Sequence, residues 1–167
     1  DGANRRIVAT DATGIASVYT FDGNGNVLTE TMPLGKQSSY VYNNLNQVLS
    51  KTQAAINPVV WTYAYDLAGN LITETQPNNN VVTTIYDELN RPLNKSDSIG
   101  LISAFTYDDN SNIITETDAN GTLTSHVYNA LNQRTTSTMA LNRSHTYTYT
   151  VFGEMLTDTG PNGTITY

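Results

Sequence analysis

The sequence contains no cysteine, so disulfide staples and thiolate metal sites are excluded and cysteine usage does not report the redox compartment. Charge is scarce. Only 14% of residues are Asp, Glu, Lys or Arg, and the eight basic residues are outnumbered by fifteen acidic ones, for a net charge of -7. No cluster of Lys and Arg occurs. A nucleic-acid surface needs concentrated positive charge to displace counterions from phosphates, so nucleic acid is not an expected partner, and an anionic membrane is disfavoured for the same reason. No apolar run approaches membrane-spanning length, so membrane insertion by this segment is not expected, and the opening DGANRRIVAT lacks the apolar centre of a signal peptide.

What is present is Thr, Asn and Tyr in abundance, the composition of β-branched and aromatic strands separated by turn formers. The stretch YDLAGNLITET, beginning at Tyr65, recurs as YDDNSNIITET from Tyr107. Aligning on its first residue gives anchors at Phe21, Tyr42, Tyr65, Tyr86, Tyr107, Tyr128 and Tyr149. Five of the six intervals are 21 residues; the one from Tyr42 to Tyr65 is 23, its two extra residues falling in the connection Gln53 to Pro58. A constant period of this length is the mark of a stacked repeat architecture.

Each unit has the same internal order. Two residues before the anchor stand Tyr19, Tyr40, Tyr63, Thr84, Phe105, His126 and Tyr147, so aromatic residues take two successive positions on one face of a period-two strand, and ten of the eleven tyrosines lie in these two columns. After the anchor come Asp22, Asn43, Asp66, Asp87, Asp108, Asn129 and Thr150, whose short side-chain oxygens can accept bonds from nearby backbone N–H groups. Three residues on are Gly25, Asn46, Gly69, Asn90, Ser111, Asn132 and Gly153, mostly the residue types that best tolerate positive φ. The spacing predicts a hairpin whose loop is a type I turn closed by a left-handed residue.

A return strand follows, with an apolar column at Leu28, Leu49, Ile72, Leu93, Ile114 and Leu156, broken by Thr135, and a hydroxyl column at Thr31, Thr52, Thr75, Ser96, Thr117, Thr138 and Thr159. A second turn, such as Pro77-Asn78-Asn79 or Asp118-Ala119-Asn120-Gly121, leads to the next unit. The expected fold is therefore all-β: antiparallel hairpins laid side by side in one long twisted sheet, each unit advancing it by roughly 9.6 Å, with Tyr and Leu columns burying each other between neighbours. The expected organisation is a single array over 1–167, with a partial repeat at 1–13, a truncated repeat at the C-terminus, and Gly14 matching Gly121. An array that does not close would leave edge strands open to self-association.

The unit Tyr-Asp-x-x-Gly-Asn-x-Ile, with an aromatic two residues earlier and a Pro/Gly-containing turn after it, resembles the YD repeat, also called the Rhs repeat, over essentially the whole chain. That resemblance implies a sheet that spirals into a hollow shell, as in bacterial Rhs and Tc toxins, where it encloses a C-terminal toxic effector, and in the teneurin cell-surface receptors. It implies a secreted or surface-delivered bacterial protein, with the rest of its own polypeptide and an enclosed effector as partners and no cofactor. This chain departs from the family in one column. Arg often follows the turn glycine there, whereas these units carry Asn26, Gln47, Asn70, Arg91, Asn112, Gln133 and Glu154. The family's self-cleaving segment has no counterpart in these residues.

Other candidate sites read more simply as scaffold. Asp22-Gly23-Asn24-Gly25-Asn26 and Asp108-Asp109-Asn110-Ser111-Asn112 begin like calcium loops, but Val27, Pro33, Ile113 and Ala119 occupy the positions where such loops need Gly and Glu. His126 and His145 are too few for a zinc site, and no nucleophile is marked beside them. Glu30, Glu74, Glu116 and Asp158 share a column with Lys51 and Lys95 that reads as a solvated face, with Lys51 pairing weakly to its acidic neighbours. Four sequons, at Asn94, Asn120, Asn142 and Asn162, would carry glycans only in a eukaryotic secretory route. Trp61, in the unit with the longer connection, is the candidate contact for a sugar in an adhesion or carbohydrate-binding module, and otherwise fills space under that loop. No catalytic or metal-binding residue is assigned.

Overall fold

Wherever β-branched and aromatic residues alternate, the chain is extended, and wherever Asp, Asn and Gly cluster, it reverses. The computed structural model describes residues 1–167 except positions 4, 6, 11, 13, 14 and 15, together with the backbone but not the side chains of residues 34 and 142. The expected match of Gly14 to Gly121 and the side chain of the Asn142 sequon therefore lie outside the described residues.

Two units divide the chain, Asp1–Val82 and Thr83–Tyr167. The first contains β1 (Val8–Thr10), β2 (Ala16–Phe21), β3 (Val27–Thr31), β4 (Gln37–Tyr42), β5 (Val48–Gln53), β6 (Val59–Tyr65) and β7 (Leu71–Thr75). The unit boundary falls within β8 (Val81–Tyr86). The second continues with β9 (Pro92–Ser96), β10 (Leu101–Tyr107), β11 (Ile113–Asp118), β12 (Leu123–Tyr128), β13 (Arg134–Met139), β14 (Arg143–Tyr149), β15 (Met155–Gly160) and β16 (Gly163–Thr166). Strand order in the sheet is the order of the sequence, and every neighbouring pair whose register is described is antiparallel. The hairpin array expected from the repeat is the fold.

The registers add a feature that the repeat pattern hides. In each hairpin the pairing slips by one residue just before the anchor: Thr20 faces Thr29 but Phe21 faces Val27, and likewise Ala64 faces Thr73 but Tyr65 faces Leu71. The same slip recurs at Tyr42, Tyr86, Tyr107, Tyr128 and Tyr149. The residue left unopposed is Leu28, Leu49, Ile72, Leu93, Ile114, Thr135 or Leu156 in turn. The apolar column is thus the column of β-bulge residues, a device that bends and twists a strand locally.

Among the described residues only Val82, at 6% exposure, and Ser137, at 2%, are buried, and no large side chain is fully buried. This corrects the expectation that Tyr and Leu columns bury each other. The anchor rings are half-buried, while Leu28, Leu49 and Leu156 remain 38%, 38% and 41% exposed. A sheet with no layer packed on it can shield side chains only by their lateral neighbours, so ladder hydrogen bonds and cross-strand pairs carry the stability.

Cross-strand partners share a face, and in both units the two faces differ in kind. One carries Val18, Thr20, Thr29, Thr31, Ser39, Val41, Ser50 and Thr52 in the first unit and Thr106, Thr115, Ser125, Val127, Thr136, Thr146, Thr148 and Thr157 in the second. Among the described pairs no charged residue occupies a position on that face. The other carries both aromatic columns and, opposite the earlier one, the charged column: Tyr19 faces Glu30, Tyr40 faces Lys51, Tyr63 faces Glu74, Phe105 faces Glu116 and Tyr147 faces Asp158. The charged column, none of it buried, therefore shares its face with the aromatic rings. Its place could not be read by parity along the chain, because the bulge shifts the count.

Candidate functional site: the repeat clasp

The turn that follows each anchor is built around one side chain. Asp66 Oδ1 accepts from the backbone N–H groups of Ala68 and Asn70, each at 2.9 Å, while Oδ2 accepts from Asn70 Nδ2 at 2.9 Å. The backbone closes the same loop, Asp66 N–H donating to Asn70 O at 3.0 Å and Gly69 N–H to Asp66 O at 3.1 Å. Asp22 and Asp108 repeat the pattern with Asn26 and Asn112. Asp87 uses Arg91 instead, whose guanidinium lies 2.7 Å from Oδ2. Gly25 and Gly69 take φ of +92° and +91°, and Asn46, Asn90, Ser111 and Asn132 sit in the left-handed region at +61°, +60°, +69° and +59°.

A pairing rule emerges here that the sequence reading missed. Where the turn begins with Asp, the residue four places on is a donor, Asn or Arg. Where it begins with Asn, that residue is Gln: Asn43 Nδ2 donates to Gln47 Oε1 at 2.7 Å, and Asn129 Nδ2 to Gln133 Oε1 at 2.7 Å. An amide can offer a donor where the carboxylate accepted, so its partner must turn an oxygen toward it and reach one bond further. The signal was visible as covariation between the two columns.

The same side chain also reaches forward to the next turn. Asn26 Nδ2 donates to Asn46 Oδ1 at 2.8 Å, Asn112 Nδ2 to Asn132 Oδ1 at 2.9 Å, and Gln47 Nε2 to Gly69 O at 3.4 Å. Arg91 Nη1 donates to Asp108 O at 3.2 Å and Ser111 Oγ at 3.1 Å, and its guanidinium lies 4.4 Å from the centre of the Tyr107 ring. At the start of the chain Asp1 and Arg5 make the corresponding ion pair, Arg5 Nη1 donates to Asp22 O at 2.6 Å, and the guanidinium lies 4.9 Å from the Phe21 ring centre.

The anchors reach backward. Tyr42, Tyr65, Tyr107 and Tyr149 donate their hydroxyls to the carbonyls of Val27, Val48, Pro92 and Arg134, at 3.0, 2.9, 2.8 and 2.7 Å. Each acceptor begins the return strand of the preceding hairpin. The hairpins anchored at Tyr42 and Tyr107 are therefore held to the one before by a phenol and to the one after by an amide.

The turn carboxylates are acidified by these bonds. Asp22, Asp66 and Asp108 are held below the usual carboxylate range, first by the side-chain amides of Asn26, Asn70 and Asn112, and Asp87 first by the backbone N–H of Arg91. A depressed folded-state pKa contributes stability that is present above the unfolded value, near pH 4, and lost as pH falls through the lower folded value. The pairing rule makes this testable. Asp66→Asn together with Asn70→Gln should reproduce the Asn43–Gln47 turn, fold as the parent does at neutral pH, and lose less stability on acidification. Asp66→Asn alone should be the least stable of the three at neutral pH, and denaturant melts across the acid range read both outcomes.

Two places on the aromatic face stand apart. Lys51 lies between Tyr40 and Trp61, its ammonium 5.8 and 5.6 Å from the two ring centres, so where a weak pairing to acidic neighbours was expected it is a cation–π partner. In the second unit Glu116, His126, Ser137, His145 and Asp158 succeed one another across β11 to β15. His126 Nδ1 lies 2.8 Å from Ser137 Oγ, His126 Nε2 3.8 Å from Glu116, and His145 Nδ1 2.7 Å from Asp158 Oδ1. A hydroxyl beside a histidine suggests a nucleophile, which the sequence had not marked. Ser137, only 2% exposed, is closed off from a substrate, and the row is two cross-strand hydrogen bonds and one longer histidine–carboxylate contact.

Burial, then the nearby Arg134 charge, lower the pKa of His126 against the opposing pull of Glu116. A histidine so depressed favours the folded state when neutral, and that contribution is lost as pH falls below about 6.5. His126→Phe, which supplies the ring type found at Phe105, should remove this acid-side loss, as read by thermal unfolding at neutral and mildly acidic pH. Among the described residues no three His, Asp or Glu side chains converge on a metal position, and no helix is long and apolar enough to cross a membrane.

Successive antiparallel hairpins joined to their neighbours by recurring side-chain bonds define a β-hairpin repeat protein. Residues 2–141 match the family model described as Teneurin YD-shell, and the chain belongs to that family. Its fold is similar to the crystal structure of TcdB2–TccC3–Cdc42, with a TM-score of 0.76 at 18% identity over 92% of this chain and 9% of that one. It is similar also to the Photorhabdus luminescens Tc holotoxin pore, with a TM-score of 0.74 at 18% identity over 92% and 9%. A third likeness is to TcdB2–TccC3 without its hypervariable C-terminal region, with a TM-score of 0.64 at 14% identity over 96% and 11%. The chain thus spans about a tenth of the solved chains it matches. No curated protein matches it in sequence.

Proposed function

We propose that this chain is a stretch of the repeat wall of a secreted or surface-delivered bacterial toxin-type protein, and that the wall encloses a C-terminal effector. Residues 1–167 act in this reading as one array, without catalysing a reaction, and their partners are the rest of the same polypeptide and the enclosed passenger. The observation that carries the proposal is the clasp, which fastens the hairpins anchored at Tyr42 and Tyr107 to both neighbours by side chains as well as by the ladder. A continuous, cross-braced sheet is what a barrier to proteases requires. The likeness in fold to Tc toxin structures supports the same reading. Limited proteolysis of the full-length parent tests it: the passenger should survive while the repeats are intact, and equal digestion with and without them would refute containment.

A second reading, an adhesion or carbohydrate-binding module, rests on Trp61, which shares its face with Tyr40 and Tyr63 and is not buried. Lys51 already lies over that ring, which weakens this reading. A glycan array with the parent chain and Trp61→Ala separates the two, since sugar binding lost in the variant would favour adhesion.

A further inference from the structure

Three Asn-Gly dipeptides occur, Asn24-Gly25, Asn120-Gly121 and Asn162-Gly163, and all three asparagines are exposed in turns. Asn-Gly is the dipeptide in which the following backbone nitrogen most readily attacks the side-chain carbonyl, because glycine has no Cβ to obstruct the approach. Whether it does so in a folded chain depends on how firmly the asparagine is held, and the three differ in that respect.

Asn24 is held twice: its N–H donates to Asp22 Oδ1 at 2.9 Å, and its side-chain Nδ2 donates to Asn46 Oδ1 of the next hairpin at 3.2 Å. Asn120 is held once, by its N–H to Asp118 Oδ1 at 2.8 Å, and its side-chain amide has no hydrogen bond among the described residues. Asn162 has neither tether. The turn Gly160-Pro161-Asn162-Gly163 opens with a glycine, so no side-chain oxygen is available to cap it, and Asn162 lines a groove shared with His145, Asp158 and Gly163.

We propose that Asn162 is a site of spontaneous covalent modification, converting to aspartate and isoaspartate in the folded protein ahead of Asn120, with Asn24 protected by its clasp. The Gly163 nitrogen loses its proton to water and forms a bond to Asn162 Cγ. The Cγ–Nδ2 bond breaks, and ammonia leaves with a proton from solvent. Water then opens the resulting five-membered imide at either carbonyl, giving Asp or isoAsp, with no oxidant or cofactor consumed. Either product places a new carboxylate beside the His145–Asp158 pair, and isoAsp also lengthens the main chain within the turn joining β15 to β16.

The test is incubation of the whole chain at mildly alkaline pH, with peptide mapping by mass spectrometry to follow the three sites, folded and in denaturant. In denaturant the three should convert at similar rates. In the folded chain Asn162 should lead, Asn120 follow and Asn24 lag. Asn46→Gly keeps the left-handed turn position that other units fill with glycine while removing the acceptor, and should raise the rate at Asn24 severalfold. Equal rates at the three folded sites, Asn24 in the lead, or an unchanged Asn24 rate in Asn46→Gly would each overturn the proposal.

Discussion

Alanine at position 65 is expected to lower the free energy of unfolding by about 3 kcal/mol, and phenylalanine by about 1 kcal/mol. The two values separate the jobs of one side chain. The ring shields its neighbours across the seam between hairpins, and its loss removes half-buried aromatic area with no second layer to collapse into the gap. The hydroxyl donates to Val48 O at 2.9 Å, and its loss leaves that carbonyl to water. Phe21 shows that the column tolerates a ring without a hydroxyl where an arginine covers it, as Arg5 does. For Tyr65 the clasp residue of the preceding unit is Gln47, an amide where Phe21 has the guanidinium of Arg5. Chemical denaturation of parent, Tyr65→Phe and Tyr65→Ala measures both steps; equal losses in the two variants would show that the ring contributes nothing beyond its hydroxyl.

Valine at position 69 should cost about 2 kcal/mol, while asparagine there should cost far less. Gly69 has φ of +91°, where a β-branched side chain is strained, and a Cβ would stand 3.2 Å from Gln47 Nε2, the clasp atom that reaches Gly69 O. Asparagine already occupies the equivalent position at Asn46, Asn90 and Asn132, each at positive φ. The comparison therefore isolates backbone conformation from bulk. A Gly69→Val protein as stable as Gly69→Asn would mean that this turn can be closed without the left-handed residue.

How much of this was legible depended on whether the cause was local. The turns were, because Asp66, Gly69 and their counterparts act within five residues of chain, and the hairpin period followed from them. The anchor columns were legible for the same reason, since two rings two residues apart on a strand must share a face. The bulge was not. Leu28 and Ile72 looked like core because they recur as apolar residues, yet their regularity marks a place where the ladder slips, and only the partner strand reveals a slip. That one residue also moved Glu30 and Glu74 onto the aromatic face, against parity. The Asp–Asn and Asn–Gln pairs lay in plain view as two columns, but reading them required knowing that residues four apart in this turn point at each other. Ser137 illustrates the opposite limit: its neighbours His126 and His145 come from other strands, and no spacing along the chain announces them.

The phenol bond also gives the array a direction in time. Because Tyr65 fastens Val48, and Tyr107 fastens Pro92, a hairpin leaving the ribosome gains its rear latch only after the following strand has emerged. The most recently synthesised unit is always the loosest, and assembly proceeds like a zip whose slider trails the growing end by one tooth.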